Sequence, residues 1–363
     1  TSTQNGEAAY AAALAASGLP ADKVEVHRLM LGTGFGRRTR SEYVTEAVLI
    51  AKEMPGTPVK MLKSREEDMT NGVYHPVTQC KLTGSLDKDG NVTGLQMRIS
   101  GQSILAYARP EAMEAGKDPA TFQGLNPGGA EGAFGYDIPN LLIDHAMRNP
   151  HVPPWFWRGV NNNQNAIYLE CFIDELANAA GQDPLAFRRK MMANKPKHLG
   201  VLNAVAERVG WDKPAPQGIS RGICQHMGYG SYVAAAAEVS VTGNKVKVHR
   251  IVAATNPGHA VNPAQIERQI AGSFVYGLSA LFQGGITIKD GEVVEKNFDT
   301  YGSLRMAEMP KVESIIMPSN DFWGGVGEPT IFVAAPAVLN AIFKATGQRY
   351  RSFPLKNHNI QMA

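Results

Sequence analysis

The chain has 363 residues, 36 basic and 33 acidic for a formal net charge of +3, with 44% hydrophobic and 19% charged residues. Such a sequence can bury a sizeable core, is too apolar for disorder, and carries no overall electrostatic bias toward nucleic acid or an anionic membrane. Its length predicts two domains, and Cys80, Cys171 and Cys224, odd in number and widely separated, supply no disulfide framework, metal knuckle or iron–sulfur ligand set.

In chain order, the Ala-rich residues 7–17 predict a helix stopped at Gly18. Residues 23–29 alternate as a half-buried strand does, and the glycine loop 32–36 leads to a helix expected over 41–54. Residues 59–62 and 78–82 read as strands, and 87–91 as a turn before another. From 110 to 139 the pattern weakens into a glycine-rich connection. Helices follow over 165–180 and from Asp183-Pro184, where a cap precedes a Pro at the first turn. Residues 194–216 carry a helix but are otherwise polar and Pro-rich, so the boundary is placed there: a first subdomain 1–200, a linker 201–217 and a second subdomain 218–363. A hairpin over 237–252, a helix over 263–281, a second hairpin near 289–292, the loop 324–329 and a helix over 336–346 complete the chain. Helices and strands mix without strict alternation, which predicts an α+β fold. The apolar stretches 47–51 and 233–237 are far short of a membrane span. Residues 1–5 lack the basic and apolar regions of a signal peptide, and the start reads as a cut within a longer protein.

Three segments carry candidate chemistry. In Gly32-Thr33-Gly34-Phe35-Gly36, free N–H groups before a helix suit an anion or a pterin edge; a tight structural turn explains the glycines equally well. The spacing is not that of a dinucleotide fingerprint. Trp155-Phe156-Trp157-Arg158 followed by Asn161-Asn162-Asn163-Gln164-Asn165 offers aromatic faces and carboxamides to a flat ligand, or else fills a core and caps a helix. In Gly324-Gly325-Val326-Gly327-Glu328-Pro329 a single carboxylate sits among glycines that allow close backbone approach; it is either a base or part of a surface turn. No nucleophile elbow or HExxH motif is present.

The order and spacing of these pieces resemble the xanthine dehydrogenase and aldehyde oxidase family of molybdenum hydroxylases from end to end. Ser2-Thr3-Gln4-Asn5 and the loop 32–36 are similar to the family's Gln loop and glycine loop. Ser64-Arg65-Glu66-Glu67-Asp68 resembles its R-x-E-D strand end, Phe156-Trp157-Arg158-Gly159 its F-R-G segment, Val261-Asn262-Pro263 with Gln269 and Gly277-Leu278 its N-P…Q…G-L helix, and Gly327-Glu328-Pro329 its G-E-P loop. Gly230-Ser231-Tyr232-Val233-Ala234 and Asn297-Phe298-Asp299-Thr300-Tyr301 look most like isoquinoline 1-oxidoreductase-type large subunits, a type shared with membrane-associated bacterial aldehyde dehydrogenases.

The resemblance implies two mixed subdomains with molybdopterin cytosine dinucleotide at their interface and no direct protein ligand to molybdenum. It implies that Glu328 deprotonates a hydroxyl on the metal, whose oxygen then adds to an electron-poor carbon while hydride passes to a sulfido group. Gln4, Gly32, Gly34, Phe35, Gly36, Arg158 and Gly327 would hold the cofactor, and Trp155 and Trp157 would line the substrate pocket. The expected reaction is oxidation of an aldehyde to an acid; hydroxylation of an N-heteroaromatic ring is the alternative, and a non-catalytic assembly fragment is the reading of another class. Expected partners are the upstream part of the large subunit, which would carry the family's missing G-x-G-Q loop, a small 2Fe-2S subunit and a cytochrome c subunit, with no nucleic acid. Neither flavin nor iron–sulfur cluster is expected in this chain. The expected compartment is the periplasm, membrane-associated through partners, with the cytoplasm as alternative. Thr39 stands where purine hydroxylases place a substrate-binding carboxylate, which argues against xanthine.

Overall fold

The computed structural model describes residues 1–363 as an α+β molecule built around two sheets. Helix α1 (Gly6–Ser17) starts where the Asn5 side chain accepts from the Ala8 N–H at 3.1 Å and ends at Gly18, whose φ of 68° suits glycine. It packs on α2 (Glu42–Lys52) around Ala9, Ala13, Tyr43 and Val44, a small satellite cluster. The expected strands 23–29 and 59–62 are not formed. Apart from one bridge between Ser2 and Leu29, no neighbour offers them a hydrogen-bond ladder, so their alternation stays extended coil. Residues 65–70, expected at a strand end, form the short helix α3 (Arg65–Thr70), capped by Ser64.

β1 (Thr78–Leu86) and β2 (Val92–Gly101) pair antiparallel across the expected turn, and β3 (Asn140–Met147) adds to β2 in parallel. The connection between β2 and β3 holds α4 (Ile104–Ala108) and is otherwise irregular. α5 (Asn162–Ala179) crosses β1 and is followed by α6 (Pro184–Met191), whose cap Asp183 accepts from the Leu185 and Ala186 amides.

The second sheet runs β4 (Ser220–Gly228), β5 (Ser231–Thr242), β6 (Lys245–Asn256), with two further strands on β6 described below. β5 is buried on both faces. Val233, Ala235 and Ala237 join one hydrophobic cluster, whereas Tyr232, Ala234 and Ala236 join another, as a two-residue period requires. The run of alanines lets helices on both sides come close: α7 (Pro196–Val209) covers one face. On the other lie α8 (Pro263–Phe282) and, after the small hairpin β7 (Ile288–Lys289) and β8 (Glu292–Val293) and the strand β9 (Lys311–Ile316), α9 (Ala334–Thr346). β9 and the terminal β10 (Gln361–Met362) pair with β6 in parallel. Pro329–Thr346 is long and apolar enough to cross a bilayer, but it is mostly buried in this core.

The structure differs from the expected linker 201–217. Val201, Leu202, Val205, Ala206 and Val209 on α7 are buried in the cluster that also holds Leu95 and Met97 of β2, Leu169 of α5 and Val252 of β6. The two halves of the chain therefore share a core across the stretch that composition marked as a connector. A fully buried ion pair lies beside this junction. Arg188 Nε meets Glu170 Oε2 at 3.0 Å, and Glu170 also accepts from the Tyr136 hydroxyl and the Gln225 side chain and amide. Burial raises the Glu170 carboxyl above its ordinary value, against the pull of Arg188.

Candidate active site

Three loops from distant parts of the chain meet. The first is the glycine loop. Phe35 (φ 49°) and Gly36 (φ 89°) both take the left-handed conformation, an uncommon one for Phe, and the Gly36 N–H donates to Gln4 Oε1 at 2.9 Å. A Cβ on Gly34 would stand 2.6 Å from Gln4 Cδ, and one on Gly36 would collide with the Phe156 carbonyl, so close approach requires both glycines. The loop does not sit on a helix N-terminus. A 3-10 turn, Arg37–Thr39, intervenes before α2, Gly36 spends its N–H on Gln4, and Arg37 is held by Glu42 at 2.6 Å and Asp68 at 2.8 Å. The helix-dipole anion site considered for this loop is therefore not built, nor are the arginines 37 and 38 free cations: Arg38 donates to the Ser2 carbonyl.

The second loop is the turn before α5. The Arg158 N–H donates to the Phe35 carbonyl at 3.1 Å, joining it to the first loop. The Val160 N–H donates to the Trp157 carbonyl at 2.7 Å, with Gly159 at φ 96° in the position of a tight turn that needs glycine and Val160 also left-handed at 49°. Trp155 donates its indole N–H to Thr39 Oγ1 at 2.9 Å and to the Gly36 carbonyl at 3.2 Å, while Trp157 packs edge-on to His75, centroids 5.7 Å apart. The two indoles that the sequence suggested for a substrate pocket are thus in different surroundings, and Trp155 is tied to the glycine loop.

The third loop is 324–328, secured to the end of β6 and to the β4–β5 turn: Gly324 donates to the Pro257 carbonyl, Gly325 to the Tyr229 carbonyl, both at 2.7 Å, and Ser231 Oγ to the Gly325 carbonyl at 2.6 Å. Pro329 then opens the turn into α9. Arg158 joins this loop to the second. Its Nε donates to the Gly327 carbonyl at 2.7 Å and its Nη2 to Gln269 O, Gln269 Oε1 and Ser273 Oγ at 3.0–3.1 Å. Arg158 is 7% exposed as a residue, and its guanidinium lies 5.9 Å from the Phe35 ring centre; burial lowers its pKa, with the charge of Glu328 opposing. The Gly159 N–H donates to Glu328 Oε1 at 2.8 Å, and Glu328 makes no ion pair. Its other oxygen has no hydrogen-bond partner within the chain.

Gln4, Gly34, Phe35, Gly36, Arg158, Gly327 and Glu328 are brought together, whereas Gly32 lies in open space two residues before the close approach. Sequence reasoning missed Tyr276, whose ring is 4.3 Å from Phe35; Ser273, which receives Arg158; and Tyr229, whose phenol is raised by burial and by Glu328. Only their spacing on α8 and β4–β5 could have signalled them. A cavity of about 850 Å³ lined by Phe122, Phe134, Leu141 and Lys195 among others includes none of the site residues.

Family models described as molybdopterin cofactor-binding domains match residues 1–192 and 189–310, which puts their junction at the end of α6. The chain is 27% identical over 352 residues to isoquinoline 1-oxidoreductase subunit beta of Brevundimonas diminuta, covering 95% of this chain and 44% of that protein. It is also 27% identical to a membrane-bound aldehyde dehydrogenase [pyrroloquinoline-quinone] of Gluconacetobacter polyoxogenes, over 94% of this chain and 47% of that one. It thus spans about half the length of these curated relatives. The fold matches the crystal structure of quinoline 2-oxidoreductase from Pseudomonas putida 86 with a TM-score of 0.79 at 13% identity, covering 98% of this chain and 70% of that one.

Proposed function

The chain belongs to the molybdopterin cofactor-binding domain family, as a large subunit of the xanthine dehydrogenase and aldehyde oxidase type, and on that premise we propose that it forms part of a molybdenum-dependent oxidoreductase with Glu328 as its base. The observation that carries the reading is the carboxylate of Glu328, held at one oxygen by the Gly159 N–H and unpartnered at the other, where the Gln4 and Phe35 loop converges through Arg158.

The residues present fit a molybdenum pterin. Gln4 uses its Oε1 on Gly36 and keeps its amide N–H groups for a ligand; Gly34 and Gly36 leave the loop surface without side chains; Phe35 and Tyr276 add an aromatic wall. When bound, the pterin dinucleotide, in its cytosine form on this reading, supplies two-electron oxidation and oxygen transfer. Glu328 then takes up a proton at Oε2, with Oε1 oriented by Gly159. Arg158 donates to Gly327, Gln269 and Ser273 and so positions the loop that carries the base; its remaining Nη1 faces no acceptor of the chain.

For substrate, an aldehyde oxidised to its acid is the primary reading, supported by the aldehyde dehydrogenase relative; the isoquinoline 1-oxidoreductase relative, matched over 95% of this chain, supports N-heteroaromatic hydroxylation as the second. Electrons would leave through a 2Fe-2S subunit and a cytochrome c, in the periplasm. The test uses the whole protein with its partner subunits. Molybdenum and pterin are quantified, and turnover of an aldehyde and of an isoquinoline-like heterocycle is followed with an artificial acceptor. Stoichiometric molybdenum with aldehyde turnover is the expected result. A preparation that folds but binds neither metal nor pterin would overturn the reading.

A further inference from the structure

The peptide group between Arg158 and Gly159 is held at both ends. Its N–H donates to Glu328 Oε1 at 2.8 Å, and its carbonyl, that of Arg158, accepts from Asn163 Nδ2, also at 2.8 Å. We infer that Asn163 is a positioning residue for Glu328, acting through this one peptide. The inference rests on Glu328 being the base.

Three observations support it. A trans peptide is planar, with its C=O and N–H in fixed opposed directions, so a bond that fixes the carbonyl also aims the N–H. A donor on the carbonyl polarises the group and strengthens its N–H as a donor, by roughly 10–30% in a chain of hydrogen bonds. Asn163 is itself fixed. Its Oδ1 is buried with no hydrogen-bond partner, and it lies so close to Gly159 that a Cβ there would collide with it. Turning the carboxamide over would face oxygen against the Arg158 carbonyl. The side chain therefore leaves one acceptor unpaired while keeping the donor on the peptide, which is the opposite of what satisfaction of a helix start alone would select. Asn161 and Asn165 of the same run bond elsewhere, to the 120–123 segment. Only Asn163 of the five carboxamides reaches the peptide that meets Glu328.

The experiment compares Asn163→Ala and the isosteric Asn163→Asp with the parent in the assembled holoenzyme, reading molybdenum content, Tm, kcat and KM across pH, and the crystal structure of each variant. Expected are parental molybdenum content, KM within about twofold, kcat lower by roughly tenfold, the loss of one neutral hydrogen bond, an acid limb of the kcat profile moved to higher pH, and a lengthened Gly159–Glu328 contact. If kcat falls only in proportion to molybdenum, or the acid limb stays in place with the 2.8 Å contact intact, the positioning role is wrong. Asn163→Asp serves where the Ala variant fails to fold. Glu328→Gln is run alongside: turnover retained there would sink the base assignment itself, and the crystallographic Gly159–Glu328 contact would still decide the Asn163 clamp.

Discussion

Glu328 meets the protein through one backbone N–H and no cation, so its replacement by Gln keeps the shape and the Gly159 contact, with oxygen still available as acceptor. Glu328→Gln is expected to retain bound cofactor and lose turnover by about 10²–10⁴-fold, the range for a general base; near-parental kcat would remove Glu328 from the mechanism. Arg158 serves four acceptors from two nitrogens, a planar fork that a lysine cannot reproduce. Arg158→Lys leaves the half-buried Gly327 carbonyl without its donor, while Ser273 still accepts from Thr330 Oγ1, and should cost about 1–3 kcal/mol in denaturant unfolding as well as activity. Gly159→Ala is expected to be worse for turnover than for stability. Its Cβ collides with Asn163 and its φ of 96° disfavours any side chain, so the turn must shift just where it orients Glu328. Comparison of Tm with kcat in that variant checks the ranking.

At the level of elements, those that carry their own local signals were legible. α1 has Asn5 before it and Gly18 after it, α6 has Asp183-Pro184, and the β5–β6 hairpin has its tight turn, and all three form where composition predicts them. Strands with polar residues in the interior or with remote partners were not. β4 places Gln225 and His226 in the interior, satisfied by Glu170 and Asn162, which breaks the apolar pattern a reader looks for, and β3 and β9 pair in parallel with strands far away in sequence. Residues 23–29 fail the other way: the alternation is present and no neighbour accepts it. The site followed the same division. Glu328 and the glycines stand out as motif letters, but the turn that orients them rests on Asn163 and the strained φ of Phe35 and Val160, each worth about 1–3 kcal/mol of local cost that only surrounding packing can hold. α5 and α6 are also joined by the buried Arg188–Glu170 pair, both side chains without exposure. Arg188→Met should destabilise the chain by about 3–5 kcal/mol because Glu170 loses its cation in the interior, and Arg188→Met with Glu170→Leu should recover only part of it, since Tyr136 and Gln225 then lose their buried acceptor. Chemical denaturation of both variants measures this.

For the whole molecule, the shared core makes acid a global stress. His226 is 1% exposed, bonded to Asn162, and burial lowers its pKa from 6.5 to about 3. In the unfolded chain it takes up a proton below pH 6.5, whereas the folded chain does not until about pH 3, so the unfolded state binds more protons across that window. Stability from this group is fully present above pH 6.5 and falls with pH by up to about 1.4 kcal/mol per unit. Tm measured from pH 7.5 to 5 should decline on the acid side, and His226→Gln should flatten the slope; an unchanged slope would show that other groups govern it.

The span of Arg158 has one more consequence. Its backbone belongs to the half of the chain ahead of α7, and every group its guanidinium holds, Gly327, Gln269 and Ser273, belongs to the half after it. Hybrid proteins that join the first half of one relative to the second half of another could form each sheet correctly and still carry the base a fraction of an ångström out of register. Drift on one side must then be answered on the other, so the two halves are expected to be inherited as a matched pair rather than exchanged as modules.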